Sequence, residues 1–395
     1  MNRDYRNVLV LWICQACFGT GRALLIATAP LVAYPIAPHK ALATLPTALV
    51  VIGTALSAYF ISMLTRSTGR RNGFLIGTTV ATLSGIACCA AVLYQNFWLL
   101  AAGGLLFGIF ASFAQLYRFA VADAAPDHFK SKAISLVLAG GVVAGFIGPK
   151  LANVGESLFG VLFLGVYVFV IGTAAVAALS LLFLDVPPLS HKDRSGPQRP
   201  LGTVMRQPVF LSSALSATIA QAVMNFLMTA TPIAMVFQCG YARADAYDVI
   251  AWHIVGMFAP GFITGWLIAK LGEVPMILLG LALEGLCIAI ALSGIEVFDF
   301  WLALLLLGVG WNFTFTASTK LVTTAHTPAE REKTQGMVNQ IIYTVVAIGS
   351  LSSGALIHYL GWSWVNIIAA PALVLAAGVT IWYAVSQKRA ATASA

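Results

Sequence analysis

Ser62-Met-Leu-Thr-Arg-Ser-Thr-Gly69-Arg70-Arg71 decides the architecture, because the second half of the chain repeats it as Gly265-Trp-Leu-Ile-Ala-Lys-Leu-Gly272. Both stretches close an apolar run with a basic residue and a glycine, the composition of a short turn at a membrane surface. A second pair of segments keeps almost the same offset: Ala125-Pro126-Asp-His-Phe-Lys130 answers to Thr327-Pro328-Ala-Glu-Arg-Glu332. Two matches at nearly one offset predict a parallel duplication.

Outward from these turns the chain is apolar almost throughout. Its 395 residues are 59% hydrophobic and 9% charged, with a mean hydropathy of +0.89, which excludes an ordinary soluble domain. Runs long enough to cross a bilayer predict an all-α integral membrane protein of about twelve transmembrane helices, roughly 7–31, 41–64, 73–95, 97–119, 133–150, 158–184, 208–236, 246–269, 274–294, 298–320, 335–357 and 363–385. Prolines 187, 188, 197 and 200 mark a linker at 185–207. The expected organisation is a six-helix bundle at 1–184, a cytoplasmic linker at 185–207 and a second six-helix bundle at 208–395. The first apolar run carries Arg22 and lacks a small-residue cleavage site, so it is expected to stay as a helix rather than leave as a signal peptide.

Basic residues fix the orientation. Arg3, Arg6, Arg66, Arg70, Arg71, Lys130, Lys132, Lys192, Arg194, Arg199, Arg206, Lys270, Arg331, Lys333, Lys388 and Arg389 fall on one side, against Lys40, Lys150 and Arg243 on the other. Both termini are therefore expected in the cytoplasm, and the net charge of +8 is a topology signal that implies no nucleic-acid partner.

Two pairs of soft ligands lie on consecutive helices, the seventh and the eighth. Met224-x-x-x-Met228 and His253-x-x-x-Met257 each have the spacing of one helix face. Met228 and His253 are each about eight residues, roughly 12 Å, from the intervening loop, with Met224 and Met257 one turn deeper. Thioether and imidazole together suit Cu(I). Met235 and Cys239 continue the spacing toward the outer mouth, although Pro232 interrupts the helix between them and the pair. The alternatives stay open, since methionine is an ordinary gap-filler and a histidine at membrane depth also serves to bind an organic substrate or relay a proton.

A duplicated six-plus-six bundle with these Gly and Arg turns resembles the major facilitator superfamily over essentially the full chain. The resemblance implies alternating access about a site near the midplane, lined by the first, fourth, seventh and tenth helices. Gly69, Arg70 and Arg71 fit the superfamily turn, as do Gly265 and Gly272 in the second copy; Arg66 stands where an Asp is usual. Gly104 stands where many proton-coupled members have an arginine. Gly140-Gly-Val-Val-Ala-Gly145-Phe-Ile-Gly148-Pro149 is similar to the fifth-helix segment of antiporters, although such spacing is common wherever helices pack closely.

Within the superfamily, Met224-Asn-Phe-Leu-Met228-Thr-Ala-Thr-Pro-Ile-Ala-Met235 and Trp252-His-Ile-Val-Gly-Met257-Phe-Ala-Pro-Gly-Phe resemble the CcoA-like copper importers of bacteria. That resemblance implies Met224, Met228, His253 and Met257 as ligands of a transported copper ion and no permanent cofactor. It further implies a multi-pass protein of the bacterial inner membrane, a cytoplasmic copper chaperone as partner, and a role in supplying cytochrome oxidase assembly. Related members of the same branch import riboflavin, which is the alternative cargo. A proton-coupled drug exporter is the second alternative.

Further polar groups fall at membrane depth, where a partner is expected: Arg22, Gln115, Arg118, Glu284, Asn312, Asn339 and Gln340. Arg22 and Arg118 lie on cavity-type helices and would repel Cu⁺ unless paired. Glu284 is the candidate counter-charge for Arg22, and Asp123 for Arg118. Cys14-x-x-Cys17 places two thiols on nearly one face of the first helix, either to receive Cu(I) late in transport or simply as small hydrophobes. Cys88, Cys89, Cys239 and Cys287 give no disulfide framework. No HExxH, GxSxG, P-loop or dinucleotide fingerprint occurs, so an enzyme is not expected.

Overall fold

The computed structural model describes residues 3–117, 120, 121, 130–185, 199–327 and 330–394. Arg118, Asp123 and most of the 125–130 motif lie outside the described residues, as do Pro328 and Ala329 of its second copy.

Helices follow the apolar runs: α1 Arg3–Ile36, α2 Leu45–Thr68, α3 Arg70–Leu93, α4 Phe97–Ala114, α5 Lys130–Gly155 and α6 Leu164–Leu181 form the first six. The second six begin with α7, Pro208–Ile233, and α8, whose segments Arg243–Phe258 and Gly261–Leu271 meet at a 42° bend. They continue with α9 Glu273–Ser293 and α10 Val297–Val322. The last helical stretch, Arg331–Ser394, is too long for one crossing, since a bilayer core takes about 20 residues. Gly361, at φ 80° and ψ 177°, divides it into α11 (331–360) and α12 (362–394). Among the described residues there is no strand.

Local chemistry explains the boundaries. Asn96 caps α4 by accepting from the amides of Trp98 and Leu99. Proline opens α7 at its first turn, where no amide is needed. Gly69 and Gly272, the matched glycines of the two turns, share one backbone conformation, φ 83° and 88° with ψ 156° and 166°. That left-handed corner is where only glycine avoids strain. The sequence repeat is thus a repeat of geometry. Gly265, its neighbour in the motif, is an ordinary helical residue with open space around it.

Close crossings explain other glycines. Gly104 and Gly108 of α4 lie against the carbonyls of Pro46 and Val50 on α2, leaving no room for a side chain. Position 104 is therefore a packing position. On α5, Gly140 and Gly148 face α1 at Trp12, Ala16 and Ala23, while Gly141 and Gly145 face Phe258 and Ile254 of α8. The glycine-rich segment lets one helix approach two others, which accounts for it without an antiporter role.

The segment expected as linker includes a helical turn at Leu201–Met205. Just before it Arg199 docks on the buried carboxylate of Glu330, with Nε and Nη2 donating at 2.9 and 2.7 Å and the Arg199 amide at 2.7 Å. The guanidinium, with the amide of Thr327, holds the Glu330 carboxyl well below the usual carboxylate range. On the first half, Arg3 pairs with Asp185 at 2.9 Å.

Candidate functional site

α7 is buried on nearly every face, because it packs on α11 or α12 and on α10. Met224 and Met228 are accordingly 0% and 3% exposed. α8 instead packs chiefly on α10 and α5 and touches α7 only slightly. His253 is 0% exposed, and its Nδ1 lies 2.8 Å from the carbonyl of Leu304 on α10. A carbonyl only accepts, so Nδ1 carries the proton and Nε2 keeps its lone pair, buried with no partner. Met257 is anchored on the same helix: its carbonyl accepts from Asn312 Nδ2 at 2.7 Å, and Asn312 Oδ1 accepts from Thr264 at 2.6 Å. Backbone contact at Gly256 and Gly308 locks this crossing. The His253–Met257 pair is thus held by α10 rather than by α7, and Asn312 is a brace between helices.

A different set of polar side chains gathers where the two halves meet. Gln115, just past the end of α4, donates to the hydroxyl of Tyr343 on α11 at 3.1 Å. Half-buried Arg22 of α1 has Tyr343 as its electrostatic neighbour and makes no ion pair or hydrogen bond with a described residue. On the opposite wall Trp311 of α10 donates from Nε1 to Gln221 of α7 at 2.8 Å. Its ring stacks on Phe315 at 5.1 Å and meets Phe258 edge-on at 6.5 Å. One turn outward on α7, Asn225 accepts from Ser350 of α11. The sequence reading missed Tyr343, Gln221, Asn225, Ser350 and Trp311. Gln221 and Asn225 share a face with Met224 and Met228, and that polar stripe on an otherwise apolar helix was the available signal.

Toward the outside the halves are joined by a third group. Glu156, at the end of α5, accepts from Arg243 at 2.6 Å and from the Tyr247 hydroxyl at 2.8 Å, both on α8. Tyr34 of α1 stacks on Phe237 with ring centroids 4.3 Å apart. Thr44, before α2, donates to the carbonyl of Ser350 at 2.9 Å and accepts from the amide of Gly354 at 3.1 Å. Of these contacts between the halves, the Gln115–Tyr343 hydrogen bond lies deepest.

The remaining expected residues are scattered. Past Pro232, α7 ends at Ile233 and continues as a π-turn over Ala234–Gln238, so Met235 and Cys239 do not extend the stripe of Met224 and Met228 in α-helical register. Met235 is buried and Cys239 half-buried. Cys14 faces α6, its sulfur 3.8 Å from the carbonyl of Ala177, and Cys17 is half-buried beside it. Glu284 does not meet Arg22: it is buried on α9 against Gly310 of α10, with neither carboxyl oxygen partnered. Asn339 is exposed, and Gln340, also exposed, bonds Thr344. No three His, Cys, Asp or Glu side chains converge among the described residues.

Comparison with known proteins fits this arrangement. The model of the Major Facilitator Superfamily matches residues 11–259 and 214–394. The chain belongs to that superfamily. This facilitator is 38% identical over 378 residues, 94% of each chain, to the riboflavin transporter RfnT of Brucella anthropi. It is 29% identical, over 97% of its own length and 92% of the relative's, to YddS of Bacillus subtilis, an uncharacterised transporter of the superfamily. A second such transporter of Bacillus subtilis, YdeG, is 27% identical over 95% and 91%.

Proposed function

We propose that this facilitator imports riboflavin, or an organic molecule closely like it, across the bacterial inner membrane by alternating access of residues 1–184 against 208–395 about the 185–207 linker. The observation that carries the reading is the 38% identity, extending over 94% of both chains, to a protein described as a riboflavin transporter. The geometry supports it. Gln115, Tyr343, Gln221, Asn225 and the Trp311 ring offer hydrogen bonds and a flat apolar face, as a planar polar solute requires. Arg22, a cation with no acid beside it among the described residues, opposes a monovalent metal cation on the same path.

Copper is the second reading, and one observation favours it. His253 donates Nδ1–H to a backbone carbonyl and leaves Nε2 free in the core beside Met257, the arrangement that a metal-ligating histidine ordinarily has. The test is uptake by cells lacking their own riboflavin and copper importers, with the chain expressed as wild type or His253→Ala. Riboflavin accumulation by the wild type is the expected result. Accumulation of copper but no riboflavin, abolished in His253→Ala, overturns it in favour of the second reading.

A further inference from the structure

The acids that form ion pairs among the described residues are committed away from Arg22, and Asp245, Asp248, Glu296 and Asp299 lie at the outer starts of α8 and α10. Glu156 holds Arg243, Asp185 holds Arg3, Glu330 holds Arg199 and Glu273 holds Lys320. Glu284 is enclosed against Gly310. Arg22 is left as a half-buried guanidinium inside the membrane with no hydrogen-bond partner among the described residues. Its five donors form a rigid planar fork, and a membrane interior makes unmet donors costly. A fork of this kind suits a ligand with acceptor atoms along one edge.

Two further features narrow the ligand. Gln115 and Tyr343, one from each half, bond each other, and Tyr343 is the residue with which Arg22 interacts electrostatically, so the polar corner draws on both walls. On the same half as Tyr343, the Trp311 ring is fixed by its bond to Gln221 and flanked by Phe258 and Phe315. The levels are close: Arg22 is twelve residues inward of Tyr34, roughly 18 Å, and Gln221 is sixteen inward of Phe237, at most about 24 Å with the π-turn between, Tyr34 and Phe237 being stacked as a common origin. One turn separates them.

We propose that Arg22 is the specificity-determining residue of the transport site, donating to the carbonyl oxygen beside the imide N–H of a flavin ring and to the unprotonated ring nitrogen next to that carbonyl (O2 and N1), with the ring stacked on Trp311. The proposal rests on the riboflavin reading and adds the atoms that recognise the solute. Solutes lacking an acceptor edge, and cationic amines, are rejected by the same guanidinium.

The test is riboflavin binding to the purified full chain in detergent, read by quenching of flavin fluorescence, with spectrophotometric titration of the bound flavin's imide N–H. A cation beside the imide favours its ionised form. The wild type should bind riboflavin and ionise the bound imide at lower pH than free riboflavin. Arg22→Gln should bind at least tenfold more weakly and lose the shift, and Arg22→Lys should keep part of both. A wild type that binds riboflavin but leaves the imide ionising as in free solution overturns the proposal, whether or not any variant folds, and leaves the riboflavin reading standing. Equal affinity in folded Arg22→Gln overturns it likewise. A wild type that binds no riboflavin removes both.

Discussion

Individual residues in this chain have roles that depend on whether a charge finds a partner. Glu330 is bound by Arg199 through the amide and two guanidinium nitrogens, and its carboxyl is held below the ordinary range. A depressed folded value stabilises the fold at every pH above the ordinary carboxylate value, and that contribution fades as pH falls toward the folded value. Melting of the purified protein should therefore separate wild type from Glu330→Gln most widely at neutral pH, and the gap should narrow below about pH 4. A gap that stays constant down to pH 3 would mean that the ion pair adds nothing to stability. Arg22 is the opposite case, and only half of it was legible. Its depth and its conflict with Cu⁺ follow from the sequence, but its expected neutralisation by Glu284 fails because Glu284 packs against Gly310 of α10 with neither oxygen partnered. Helical periodicity tells which residues share a face; it does not tell which helix that face meets.

At the scale of the helix, the apolar runs gave boundaries close to those observed, since length and hydropathy suffice to mark a span. The π-turn after Ile233 was not readable in the same way. Pro232 announces an interruption, but the hydrogen-bond shift that follows depends on the packing of α7. Counting from the loop placed Met228 and His253 level without telling which helices face each other, and α8 leans on α10 and α5 instead of α7. Between halves, α5 and α8 are joined at their outer ends by Glu156, which binds Arg243 and Tyr247 together. Glu156→Gln removes the charge and one strong acceptor, which loosens the outer seal. Spin labels on Gln95→Cys and Ile295→Cys, at outer turns of opposite halves, should show a longer, broader distance distribution in Glu156→Gln than in a chain with Glu156 intact. An unchanged distribution would assign closure to the Tyr34–Phe237 and Thr44 contacts alone.

At the scale of the whole molecule, the two halves are held together unequally. Three of their contacts, Glu156 with Arg243, Tyr34 with Phe237 and Thr44 with α11, lie outside the level of Arg22, while Phe146 of α5 meets Trp252 of α8 edge-on and Gln115 bonds Tyr343 deeper in. These outer contacts close the structure to the outside, and its central site should be reached from the cytoplasm. In a cysteine-free background, Arg22→Cys should react with a membrane-impermeant thiol reagent in inside-out vesicles and much more slowly in right-side-out ones. Equal rates from both sides would contradict the closure. The two-half architecture itself was legible from the paired turns at Gly69 and Gly272, because a left-handed glycine corner is demanded twice by the same geometry.

Because Gln115 and Arg22 stand on one half and Tyr343 and Trp311 on the other, occupancy and closure are thermodynamically linked. Any solute that touches both walls favours the arrangement in which the walls are near, and the arrangement in turn sets how tightly the solute is held. Glu156 then contributes to apparent affinity while lying near the outer surface, because the fraction of molecules in the closed arrangement scales the dissociation constant that is measured. Loosening the outer seal weakens binding by depleting the competent population, with the contacts inside that population unaltered.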